Sequence, residues 1–137
     1  MNDLRFMVKV KLVHSQKRFL PCPLCQLREP GCVTQMASQM HEIIAPPMAG
    51  GKYQPEDTPL ARAVYTPENC ILLCGKCNLE IANSVPKDVM LAIKMTQPGF
   101  GPERVIPVIK EIACYVKNPS QFIPRVVSCN GIDYPIL

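Results

Sequence analysis

Two Cys-x-x-Cys pairs constrain this chain more than any other feature of its sequence. Cys22 and Cys25 form the first pair, and Cys74 and Cys77 form the second. Two thiolates at this spacing bind one side of a tetrahedral ion, and two such pairs complete a four-sulfur zinc site. Such a site has no open coordination position, so it stabilises a fold and does no chemistry itself. The spacing therefore predicts a structural zinc that joins two distant segments.

Disulfides are the alternative use of these residues, because the chain has 8 cysteines. Lys9 and Lys11 interrupt the apolar residues at the N-terminus, which argues against a signal peptide. We therefore expect a cytoplasmic location (the host cytoplasm if the protein is viral), where reduced cysteines favour metal. Cys70 lies close enough to Cys74 to be an alternative ligand. The other cysteines show no knuckle spacing and are expected to be free thiols: Cys32, Cys114 and Cys129.

Length and charge narrow the class of protein. The 137 residues suit a single domain, residues 1–137. The formal charge is +4, and four deprotonated cysteines with one Zn²⁺ change it by −4 and +2, which leaves +2. This mildly basic chain is compatible with a nucleic-acid partner but does not require one. No apolar run reaches the roughly 18 residues of a membrane span, so no membrane partner is expected.

Apolar periodicity predicts mixed α and β elements in the N-terminal half. Residues 4–13 alternate between apolar and polar side chains, which predicts an N-terminal strand. Residues 33–44 are predicted to be extended. Residues 45–67 are rich in proline and glycine, so we expect a long connection without regular structure. That connection contains three candidates for contact with a ligand backbone: Lys52, Tyr53 and Arg62.

Two helices and a hairpin are predicted for the C-terminal extension, residues 86–137. The first helix begins near Pro86 and ends at Pro98-Gly99, and the second covers about residues 102–117. Asn130-Gly131 between two β-rich runs predicts a tight hairpin turn. The apolar stripe of the second helix is predicted to face the core: Val105, Ile109, Ile112 and Val116.

The order of these motifs resembles the zinc-bearing, phage-type branch of the HNH endonucleases. The matching stretches are Cys22–Cys25, His41–Ile44, Gly50-Gly51 and Asn69–Asn78. The resemblance covers residues 20–83 and implies an α+β fold with a zinc-stapled ββα-metal (treble-clef-like) core. In that family a β-hairpin packs against a helix, one Mg²⁺-like ion lies between them, and the activity is cleavage of DNA.

The resemblance also implies roles for individual residues. Asn69 matches the central asparagine, which braces the hairpin. Asn78 takes the place of the final histidine, and its carboxamide oxygen suits a hard ion such as Mg²⁺. Aligned on Ile43, His41 is a ligand of that ion and Glu42 is the general base.

A second register remains open for the dyad. Aligned on the catalytic histidine, His41 is the general base, and Met40 occupies the ligand position, where a thioether suits Mg²⁺ poorly. We prefer the register set by Ile43. The candidate catalytic residues are then His41, Glu42, Asn69 and Asn78, with His41 and Asn78 as ligands of the catalytic ion.

The resemblance and the cysteine pairs leave three hypotheses for the function. The first is a metal-dependent DNA endonuclease or nickase. The alternative is a catalytically inactive zinc-binding module that binds nucleic acid or, through residues 86–137, a protein partner in a larger assembly, viral or otherwise. A zinc-stapled structural component with no nucleic-acid role is a third reading. The unusual His41-Glu42 dyad favours the inactive binding module.

Overall fold

The structure, a computed structural model, describes residues 3–16, 20–30, 35–46 and 58–137, which form helices and short strands. The mixed α+β class predicted from the sequence is confirmed. None of the described helices is long and apolar enough to cross a membrane. The elements are, in chain order, α1 (Asp3–Gln16), α2 (Pro23–Arg28), β1 (Gln39–Glu42), α3 (Pro59–Val64), β2 (Cys70–Leu73), α4 (Lys87–Met95), α5 (Pro102–Cys114), β3 (Val126–Cys129) and β4 (Ile132–Pro135).

A strand pair followed by a helix forms the centre of the fold. β1 and β2 pair antiparallel, with Gln39 opposite Leu73 and His41 opposite Ile71. All four residues of β2 are buried, as expected for a short run of apolar residues inside a core. A π-helical turn Cys77–Ile81 follows β2, and we call it the knuckle helix. The strand–strand–helix order places the end of the second cysteine pair at the start of this helix.

The N-terminal segment is helical, so the predicted strand over residues 4–13 is wrong. Val8 and Leu12 are buried on one face of α1, whereas Phe6 is 61% exposed. These buried positions are four residues apart, the spacing of neighbours on one helical face. A strand here would need a partner for its backbone groups, and β1 and β2 pair with each other and not with this segment. A helix satisfies its own backbone, and α1 packs on β2.

A short helix also occupies part of residues 45–67, where the sequence predicted no regular structure. Thr58 caps α3, because its Oγ1 accepts a hydrogen bond from the Ala61 N–H at 3.1 Å. Pro59 occupies the first helical turn, where its missing N–H costs nothing. The prediction was wrong here because it followed the high density of proline and glycine, although Thr58-Pro59 is a signal for the start of a helix.

The C-terminal helices lie close to their predicted bounds. α4 begins directly after Pro86, and α5 ends at Cys114 rather than at residue 117. Pro107 lies inside α5 and does not end it. Three members of the predicted apolar stripe of α5 are fully buried: Val105, Ile109 and Ile112.

The residue types of α4 do not decide which of its side chains are buried. Val89 is 38% exposed and lines a groove of about 680 Å³ between α2, α4 and β3. Lys94, a residue type that usually lies at the surface, is instead fully buried. The other buried residues of α4 are apolar: Met90, Leu91 and Met95.

The predicted C-terminal hairpin is confirmed. β3 and β4 pair antiparallel, and the turn between them is Asn130-Gly131. Both residues have positive φ, 53° and 79° respectively, as a two-residue type I′ turn requires. The hairpin packs against α4.

Lys94 is held in an apolar environment with few polar partners. Its Nζ lies 3.5 Å from the centroid of the Phe100 ring and donates to Oε1 of Gln97 at 3.5 Å. Burial lowers the pKa of Lys94 to about 7, against smaller opposing effects of Cys70 and Glu68. Because the pKa of an unfolded lysine is about 10.4, the folded protein loses this proton at lower pH than the unfolded chain does.

The substitution Lys94→Met tests this burial. Between about pH 7 and pH 10 the unfolded chain binds one proton more at residue 94, so the wild-type free energy of unfolding rises with pH by up to roughly 1.4 kcal/mol per unit. We expect Lys94→Met to lack this rise and to be the more stable protein at about pH 6.5. Urea unfolding at several pH values measures both effects. The exposed Lys110→Met is the control, and equal pH dependence of wild type and Lys94→Met would contradict the assignment.

Candidate metal centre and active site

The four cysteines of the two pairs come together in space. The Sγ atoms of Cys22, Cys25, Cys74 and Cys77 all lie within 4.8 Å of one another. Cys25 Sγ is 3.6 Å from Cys74 Sγ and 3.6 Å from Cys77 Sγ. Zinc–sulfur bonds of about 2.3 Å in a tetrahedron separate the sulfurs by about 3.8 Å. The cluster therefore has the size and the donor set of a zinc site.

Local backbone contacts position the first pair. Cys22 N–H donates to the carbonyl of Gln35 at 2.7 Å, and Ala37 N–H donates to the carbonyl of Leu20 at 2.7 Å. These bonds form an isolated antiparallel bridge beside the first cysteine. Pro23 then starts α2, which turns Cys25 back toward Cys22. The first pair thus lies at a strand-to-helix turn.

The second pair lies at the turn between β2 and the knuckle helix. Cys74 directly follows β2, and Cys77 is the first residue of the knuckle helix. The N–H of Cys77 donates to Sγ of Cys74 at 3.4 Å, and the N–H of Asn78 donates to the carbonyl of Cys74 at 2.9 Å. Both bonds fold the chain tightly around the sulfur of Cys74.

Electrostatics of the cluster favour a bound cation. Burial raises the pKa of Cys25 and of Cys77, and neighbouring sulfurs raise that of Cys77 further. Burial also acts to raise the pKa of Cys74, but the Cys77 N–H and the neighbouring thiols outweigh it and lower the pKa to about 7. Four sulfurs this close cannot all carry negative charge unless a cation lies among them. The donor set therefore fits a divalent ion such as zinc.

One arginine contacts the cluster, and sequence reasoning missed it. Arg28 Nη2 lies 3.1 Å from Cys77 Sγ and 3.6 Å from Cys25 Sγ. Its Nε also contacts the carbonyl of Leu24 at 3.4 Å. The signal in the sequence was its position three residues after Cys25 on a helix, which places both side chains on one face.

Cys70, the alternative ligand, lies outside the four-sulfur cluster. It is the first residue of β2, and its Sγ lies 3.8 Å from the carbonyl oxygen of Val64. Cys32 lies outside the described residues, as do Gly50, Gly51, Lys52 and Tyr53. Arg62 lies in the last turn of α3.

Asn69 braces the segment between the strands. Its Oδ1 accepts from the N–H of Ile44 at 3.0 Å, and its Nδ2 donates to the carbonyls of Ile44 and Val64, both at 2.9 Å. The Asn69 carbonyl accepts from the N–H of Ile43 at 2.8 Å. Because the side chain is fully buried and its bonds all go to backbone, it acts as a positioning residue.

β1 separates the two members of the predicted dyad. Successive side chains of a strand point to opposite faces, so His41 shares a face with Gln39, and Glu42 shares the other face with Met40. Nδ2 of Asn78 donates to Oε1 of Gln39 at 3.2 Å, which places the knuckle helix on the face of Gln39. Strand alternation therefore assigns His41 to the face that Asn78 contacts through Gln39, and Glu42 to the opposite face.

Access to His41 is narrow. Its side chain is 8% exposed, and its Nε2 atom is buried. Glu42 is partly exposed at the end of β1, and Asn78 is partly exposed at the start of the knuckle helix. Asn78 is therefore more accessible from solvent than His41.

Comparisons with known proteins found no match for this chain among protein-family models, curated proteins or solved structures.

Zinc content tests the cluster directly. We expect one zinc per chain in the purified protein and loss of most of it when Cys25 or Cys74 is replaced by serine, because each supplies one of four ligands. Cys114→Ser is the matched control, since Cys114 is exposed and lies outside the cluster. Elemental analysis of purified proteins measures the ratio. Full zinc in Cys74→Ser would contradict the assignment.

The substitution Asn69→Ala tests the brace. It leaves the buried N–H of Ile44 and two buried carbonyls without their partner, so we expect a loss of about 3 kcal/mol in the free energy of unfolding. The exposed Asn83→Ala is the control and should change stability by less than about 0.5 kcal/mol. Urea unfolding measures the free energy of unfolding of both variants. Equal losses in the two would show that the hydrogen bonds of Asn69 do not stabilise the fold.

Proposed function

We propose that this chain is a metal-dependent DNA endonuclease or nickase of the HNH type, which hydrolyses phosphodiester bonds. One observation carries the proposal: a strand–strand–helix unit is joined by the four-cysteine cluster and has His41 on the side of Asn78. The cluster serves as a structural zinc site, and the chemistry belongs to the face beside it.

Asn78 suits the role of ligand for the catalytic ion. Because Gln39 accepts from its Nδ2, the Oδ1 of Asn78 is directed away from Gln39. Mg²⁺ prefers oxygen ligands and is commonly held by one or two protein groups, with water and substrate phosphate supplying the rest. Such an ion, when bound, neutralises charge on the scissile phosphate and on the leaving oxygen.

His41 suits the role of general base better than Glu42 does. An imidazole has a pKa near neutral pH, which a general base requires. Strand alternation puts His41 on the face of Gln39, the hydrogen-bond partner of Asn78, so His41 is the member of the dyad on the side of an ion held there, whereas Glu42 starts from the opposite face. This assignment is the second of the two registers left open by the sequence. Met40 is not a ligand in this assignment, because its side chain is buried on the opposite face of β1 from His41.

The partner in this proposal is DNA, recognised through its phosphates. Lys76 is exposed within the second cysteine pair, next to the start of the knuckle helix. A lysine at this place can contact a phosphate on either side of the scissile bond. The net charge supports weak, salt-dependent binding of DNA.

A second candidate function is a zinc module of the same fold that binds nucleic acid or protein without cutting. The burial of His41 favours it, because a general base must reach water in the substrate complex. The two candidates differ in one property, which is phosphodiester cleavage.

A nicking assay on supercoiled plasmid with Mg²⁺ or Mn²⁺ separates them. We expect the wild type to nick, and we expect His41→Gln to lower the rate by a factor of roughly 100 or more, as for loss of a general base. Asn78→Ala should raise the ion concentration needed for half-maximal rate. Glu42→Gln should have the smallest effect of the three.

Asn83→Ala is the matched control for Asn78→Ala, because Asn83 is exposed and follows the knuckle helix. Zinc content must be equal in all variants, so that a lost rate reports chemistry and not unfolding. Wild-type protein that carries zinc and never nicks would reject the nuclease in favour of the binding module.

A further inference from the structure

Arg28 forms a bridge over the metal centre from outside it. Its Nη2 contacts Cys25 Sγ at 3.6 Å and Cys77 Sγ at 3.1 Å, which belong to different cysteine pairs. The contact with the carbonyl of Leu24 holds the guanidinium against α2. The side chain remains exposed, so it forms the outer boundary of the cluster toward solvent.

The contact with Arg28 reduces the negative charge of a four-thiolate site. Four thiolates and one Zn²⁺ carry a formal charge of −2, and a guanidinium on two of the sulfurs reduces it to −1. Hydrogen bonds from a charged donor are stronger than neutral ones, and groups outside the ligand shell tune both affinity and ligand orientation. The sulfur of Cys74 already receives the backbone N–H of Cys77, so Arg28 serves sulfurs that this backbone contact does not reach.

We propose that Arg28 is a positioning and charge-compensating residue of the zinc centre, which links the two cysteine pairs and slows loss of the metal. The proposal rests on the structural zinc of the proposed function. It does not depend on nuclease activity, because it concerns only the four sulfurs and the guanidinium.

Two properties of arginine matter for this role. Its planar guanidinium contacts two sulfurs through Nη2 and the carbonyl of Leu24 through Nε at the same time, whereas a lysine ammonium is a single point charge on a flexible stem. Arg28→Lys therefore retains the charge and loses the shared contact. Arg28→Met removes the charge and retains most of the apolar stem.

Transfer of zinc to excess chromogenic chelator tests the proposal. We expect Arg28→Met to release zinc about tenfold faster than the wild type, in line with the 10- to 100-fold effects of removing such supporting contacts. Arg28→Lys should release zinc at an intermediate rate. Arg125→Met, at an exposed arginine in the segment before β3, is the matched control and should match the wild type.

Cobalt substitution supplies a second readout that a purely structural role would not move. Hydrogen bonds to thiolates stabilise the sulfur lone pairs, so their loss shifts the sulfur-to-Co²⁺ charge-transfer bands to lower energy. We expect this shift in Arg28→Met and not in Arg125→Met. Equal release rates and equal bands in wild type and Arg28→Met, with one zinc per chain in both, would overturn the role of Arg28 alone. Wild-type protein that binds neither zinc nor Co²⁺ would overturn the zinc site itself.

Discussion

The meeting of four cysteine sulfurs is the interaction on which the rest of the structure depends. Cys25 and Cys74 are 49 positions apart in the chain, yet their sulfurs lie 3.6 Å from each other. The ordering of so long an intervening segment costs conformational entropy, and a metal ion bound by all four sulfurs would offset that cost directly. The short strands β1 and β2 offer only a two-stranded sheet, which is marginal without further support. The cluster fixes where the knuckle helix begins and therefore where Asn78 lies.

Asn69 fixes the position of the chain where β1 ends. Its side chain bonds to the backbone at Ile44, just before the long connection, and at Val64, near the end of that connection. With β1 fixed, strand alternation decides which side chain faces the knuckle helix. That face receives His41 and not Glu42, which is why the geometry favours the histidine as the reactive group of the proposed nuclease.

Features set by local chemistry could be predicted from the sequence. The C-terminal hairpin followed from Asn130-Gly131, because a tight turn depends on few neighbouring residues. The four-cysteine cluster followed from the local spacing within each pair and from the four ligands that one zinc ion requires. Features set by tertiary partners could not be predicted. Residues 4–13 fit both a strand and a helix, and the packing of Val8 and Leu12 from one helical face into the core decided for the helix. The burial of Lys94 against Phe100 depends on tertiary packing that no local pattern reveals. The spacing of Arg28 from Cys25 is local, but its contact with Cys77 depends on the meeting of two distant segments.

X-ray absorption at the zinc edge tests the central claim most directly. The account predicts a single shell of four sulfur atoms at about 2.3 Å from the metal, in protein purified without added thiol ligands. A shell with nitrogen or oxygen in place of any sulfur, or the absence of bound zinc, would contradict it, because the strand pair and the knuckle helix would then lack their common anchor.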